Sequence, residues 1–180
     1  MTRSQPILAT HTFWKTVTAG FIATFVMTIT GFWQSGLGLP PIDVGAMLTQ
    51  NMTAAHPEQP YGLLAGNVVH FVNGILLALL WVSFGQSHIR TNWFVQGLVY
   101  GIITTLAAAI VIVPLVAGAG VFFSNSPAPV MMTLASLSIH LAYSLALTLS
   151  LKVAGVSSEP SESAERFAGA VDEHAAQVAA

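Results

Sequence analysis

The stretch GLLAGNVVHFVNGILLALLW, residues 62 to 81, decides the fold. It holds no Asp, Glu, Lys or Arg, and as a helix it reaches about 30 Å, the thickness of a bilayer core. Gly62, Gly66, His70, Gly74 and Ala78 recur every fourth position, so they stack along one helical face. A face of small residues lets another helix approach closely, and in lipid that close packing drives association. The histidine in the middle of this face is the one ionisable group of the stretch.

Composition extends the reading to the whole chain. Its 180 residues are 54% hydrophobic and only 7% charged, against about 25% charged for soluble domains. The absence of cysteine excludes disulfides, thiolate metal sites and cysteine catalysis. Five basic residues without a cluster leave no electrostatic footprint for nucleic acid. The expected architecture is an all-α integral membrane protein, a bundle of four transmembrane helices at about residues 15–37, 62–84, 93–122 and 130–151. Residues 1–14 precede it, and an acidic, Ser/Glu/Ala-rich tail, 153–180, follows. The first apolar stretch is too long for a signal peptide and reads as an uncleaved span. Pro114 lies in the overlong third span, where it predicts tilt and a kink.

Orientation follows from Arg3, Lys15, Arg90, Lys152 and Arg166, which all fall on one side of this arrangement. The positive-inside rule makes that side cytoplasmic, with both termini there. In the first outer loop, Pro40 and Pro41 stop the first helix and Asp43 can cap a new one. Val44, Met47, Leu48 and Met52 then share a stripe, predicting a short interfacial helix.

The spans are internally similar. AGNVVHFVNGILL, residues 65–77, aligns without gaps on ASLSIHLAYSLAL, residues 135–147, so His70 matches His140 and Gly74 matches Ser144. Trp14, Gly20 and Thr24 of the first span find counterparts in Trp93, Gly101 and Thr105 of the third. The pattern predicts two similar helical hairpins, related by an axis along the membrane normal. Packing rows of small or hydroxyl residues run through Gly20 in the first span, Gly66 and Gly74 in the second, Gly97 and Gly101 in the third, and Ser136 and Ser144 in the fourth.

Two histidines at matched depth on parallel helices admit several chemistries. They could be buried hydrogen-bond donors joining helices. They could be axial ligands of a haem b, with neighbouring glycines leaving room for the macrocycle. They could contact a quinone or a lipid, and Asn67 and Asn73 flank His70 at three-residue spacing. No acid lies in a span, so no catalytic residue is assigned; His56 and Glu58 lack a third ligand, so no metal site is assigned either.

GFIATFVMT (residues 20–28), LPPIDVGAML (39–48) and the two His-x-x-x-small helices together resemble an uncharacterised family of four-span bacterial inner-membrane proteins, a domain of unknown function. The resemblance covers about residues 14–152, implies a bacterial inner membrane, and marks Asp43, His70, Gly74 and His140 as positions of interest. The expected role is a non-catalytic accessory subunit without a cofactor. It would lie in the lipid bilayer and pack against a larger membrane complex, respiratory or photosynthetic, or against copies of itself. The alternatives are a haem b electron carrier on His70 and His140, and a small permease or lipid-handling protein.

Overall fold

The computed structural model describes residues 10–52, 62–89 and 91–156. Arg3, the His56/Glu58 pair, Arg90 and the acidic tail beyond residue 156 lie outside them. Among the described residues there is no strand. Helix α1 (Thr10–Trp33) continues into a 3-10 turn over Gln34–Leu37, and α2 (Val44–Met52) follows in the first loop. Helix α3 (Gly62–Leu80) runs on through Trp81–Gly85 and Gln86–His88. Helix α4 (Trp93–Ala107) runs on through Ala108–Ala117, and α5 spans Pro129–Val153. Four of these rods, Thr10–Leu37, Leu64–His88, Trp93–Ala117 and Pro129–Val153, are long and apolar enough to cross a membrane.

Local chemistry sets the ends. Gly38, at φ 78°, closes the first rod by donating its N–H to Gln34 and Ser35 carbonyls. Asp43 Oδ1 accepts from Ala46 N at 2.9 Å and starts α2. Asn92 caps α4 in the same way through Val95 N, and Pro129 occupies the first turn of α5, where its missing N–H costs nothing. Lys15 Nζ donates to the carbonyl of Ala154 at 2.5 Å, so the first and last helices are tied at the end where α1 begins.

Pro114 produces more than a kink. From Ala108 to Ala117 the helix widens to π register, which accommodates a residue with no N–H to give, and it ends at Gly118 (φ 61°), short of the expected boundary at 122. Beyond it, Phe122 (φ 51°) and Phe123 (φ 57°) sit in the left-handed region, where L side chains are strained. Phe123 is nonetheless buried.

Helix α1 packs closely on both α3 and α5, and α4 packs on α5. The contacts follow the rows of small residues. A methyl at Gly20 would lie 2.8 Å from Ala78 Cβ, and one at Gly74 would strike Thr24 Oγ1. On the other hairpin, methyls at Gly97 and Gly101 would each lie 2.8 Å from a leucine of α5, Leu145 and Leu141 respectively. Since Gly20 opposes Ala78 and Gly97 opposes Thr148, the position aligned with Ala78, the two hairpins superpose Gly20 on Gly97. That register is one turn from the Gly20/Gly101 pairing suggested by the sequence.

The internal two-fold also stops short. An exact repeat would pack α3 on α4 as closely as α1 packs on α5, but α3 and α4 stand apart. Large side chains bridge the gap instead. Tyr100 Oη of α4 donates to Leu77 O at 2.8 Å and stacks on Trp81 with centroids 4.3 Å apart, while Tyr143 Oη of α5 ties in α3 by donating to Gly74 O at 2.6 Å.

Helix α2 turns inward. Thr49 Oγ1 sits between the ends of the first helical hydrogen bond of α3, 2.6 Å from Gly62 O and 3.1 Å from Gly66 N. A methyl at Gly66 would collide with Gly45 O and Thr49, so the absence of a Cβ permits this seat. The apolar side of α2 therefore covers the end of the bundle.

Candidate functional site: a cavity between two histidines

The separation of α3 from α4 leaves a cavity of about 250 Å³ inside the bundle. Val44, Met47 and Leu48 of α2 roof it, while Phe123 and Ile139 contribute apolar walls. His70 from α3 and His140 from α5 both line it. No carboxylate or basic chain is among the described lining residues. A larger, more open groove lies between α1 and α5 beside His11 and Lys15, far along the bundle from the paired histidines.

The two imidazoles are held differently. His70 is 4% exposed, and its Nε2 lies 3.2 Å from Thr28 Oγ1 of α1. The single hydroxyl proton of Thr28 goes to Thr24 O at 2.9 Å, so proton counting puts a hydrogen on Nε2 of His70 and leaves Nδ1 as an acceptor. His140 Nδ1 lies 2.7 Å from Ser136 O, a carbonyl that can only accept. Nδ1 therefore carries the proton, and Nε2 of His140 is the acceptor. Neither His70 Nδ1 nor His140 Nε2 bonds another described residue. His70 is thus a clasp between α1 and α3, whereas His140 bonds only within its own helix.

The packing residues occupy defined places. Gly20 and Gly74 lie at the α1–α3 contact, Gly66 under α2, and Gly97 and Gly101 at the α4–α5 contact. Ser136 and Ser144 are buried on α5; Ser144 Oγ has no hydrogen-bond partner among the described residues, so it serves there by size. Asn67 packs over Gly45 of α2. Asn73 is exposed yet lines the cavity, as do the exposed Ala107 and Ile112, so the cavity opens sideways between α3 and α4. Tyr100, Tyr143, Thr28 and Thr49 were not singled out by sequence as bridging groups. Only Thr28 carried a signal, since it lies eight residues after Gly20 and so continues the four-residue packing row of the first span.

A haem does not fit this arrangement. Iron between the histidines would need a nitrogen from each and space for the macrocycle. Thr28 holds His70 Nε2, and Thr24 and Thr49 already fill the room expected beside Gly74 and Gly66. The volume also falls below the roughly 300–1,000 Å³ of common small-molecule sites. It exceeds the roughly 150 Å³ cavity that takes up benzene, so it suits one substituted ring.

Fold and site define an all-helical four-span membrane bundle with an internal cavity reached from its side. The family model of DUF6789, a family of unknown function, matches residues 10–161, and the chain belongs to that family. No curated protein and no solved structure matches it.

Proposed function

We propose that the protein is a non-catalytic component of the bacterial inner membrane, with both termini in the cytoplasm, that holds one small lipophilic molecule in the cavity between α2, α3, α4 and α5. The observation that carries this reading is the sideways opening at Asn73, Ala107 and Ile112. An entrance facing the hydrocarbon serves a molecule already dissolved in the bilayer. The polar side chains inside are His70, His140, Asn73, Thr104, Ser136 and Tyr143, with no Asp, Glu, Lys or Arg among them, so they orient a ligand by hydrogen bonds and not by charge. The orientation rests on all five basic residues falling at one side of the spans. The test is native mass spectrometry on protein released from its membrane in mild detergent. Wild type should carry a lipophilic adduct at one per chain, and Ala107→Phe, which fills the entrance, should lose it. Equal adducts on both proteins, or none on wild type, would refute the reading.

Asn73 also favours a second reading, the accessory subunit. Its amide is exposed on α3 among exposed Val69, Val72 and Leu76, and an amide facing lipid is costly unless a neighbour pairs with it. Because the chain has no cysteine, Asn73→Cys places a single thiol there. Cross-linking in membranes to a larger protein or to a second copy supports the subunit role. Labelling only by lipid-soluble reagents refutes it.

A further inference from the structure

Resting on the cavity-binding reading, the tautomers narrow the ligand's chemistry. Ser136 O can only accept, so His140 cannot move its proton to Nε2 while that bond persists. His70 presents Nδ1 as a second acceptor as long as Thr28 spends its proton on Thr24. Both rings line the cavity, His70 from α3 and His140 from α5, with apolar side chains such as Met27, Leu77 and Val113 and the amide of Asn73 beside them. A ligand satisfying both must bring a donor at each of two places on a compact apolar body.

We infer that the cavity binds the reduced, dihydroxy form of a lipid-soluble quinone: its two phenolic O–H groups donate to His70 Nδ1 and His140 Nε2, and its tail leaves through the gap between α3 and α4. The ring falls within the size range set by the volume. The tail follows the exposed surface of Ala107 and Ile112 into the bilayer. The oxidised quinone carries only carbonyl acceptors and can pair with neither imidazole lone pair; the Asn73 amide in the lining can donate to a carbonyl, but both histidine acceptors stay unsatisfied. Discrimination between the redox forms comes from this mismatch, since both share one carbon skeleton.

The experiment titrates the full-length protein, in detergent under anaerobic conditions, with a decyl-substituted benzoquinol and separately with its quinone. The quinol should bind at least about ten-fold more tightly, the effect of one to two net hydrogen bonds. His140→Leu removes the fixed acceptor and leaves the His70–Thr28 clasp untouched, so it should bring the two affinities together. Its thermal unfolding, recorded in parallel, shows that the bundle persists. Equal binding of the two forms by wild type, or an undiminished preference in His140→Leu, overturns the inference. If mass spectrometry finds another lipophile that Ala107→Phe excludes and the quinol fails to displace it, the quinol assignment falls while the cavity-binding reading stands.

Discussion

Replacing Gly74 by alanine adds one methyl at the α1–α3 contact, where the structure leaves no room for it. The new Cβ would collide with Thr24 Oγ1 and lie 3.1 and 3.2 Å from Thr24 Cβ and Cγ2. Thr24 cannot yield freely: it is wholly buried, and its hydroxyl donates to Gly20 O at 2.7 Å. Overpacking of this kind costs about 1–3 kcal/mol, and the alanine returns up to about 1 kcal/mol through its better helix propensity. The expected net loss is about 1–2 kcal/mol. The control is Gly36→Ala, since no heavy atom lies within 4 Å of a methyl at that position; it should be neutral or slightly stabilising. Stability is read from tryptophan fluorescence during sodium dodecyl sulfate titration of mixed micelles. Thr24→Ala should relieve part of the clash, giving a coupling of about 1 kcal/mol with Gly74→Ala. If Gly74→Ala is as stable as wild type, or the two changes simply add, the contact does not limit packing as described.

Tyr143→Phe should cost about 1 kcal/mol in the same titration, because only the second hydrogen bond of Gly74 O is lost and its helical bond remains. Thr49→Val keeps the shape but removes the hydroxyl between Gly62 O and Gly66 N. It should cost about 1–3 kcal/mol and speed amide exchange across residues 44–52; unchanged exchange would show that α2 is held otherwise. His70→Leu should cost about 1 kcal/mol or less, since Thr28 keeps its bond to Thr24. For topology, a reporter fused at Asn125 should read as periplasmic and one after Lys152 as cytoplasmic. A periplasmic signal after Lys152 would overturn the assigned orientation.

Sequence by itself determined the four spans, because length and apolarity in hydrocarbon leave the helix as the only backbone that satisfies its own hydrogen bonds. It also determined which face of each helix is small, since a four-residue repeat is a property of the chain alone. Asp43 as the cap of α2 and the shared depth of His70 and His140 came from the same local rules. The cavity came from none of them. It exists because α3 and α4 do not close as α1 and α5 do, and that depends on bulky Trp81, Tyr100 and Tyr143 meeting across helices distant in sequence. The widened turn at Pro114 and the inward seat of α2 are likewise outcomes of packing. Nor do the similar settings of the two histidines in sequence reveal that Thr28 holds one ring while Ser136 turns the other. Hydrogen-bond partners are chosen in three dimensions, and here that choice separates the clasp from the ring left facing the cavity.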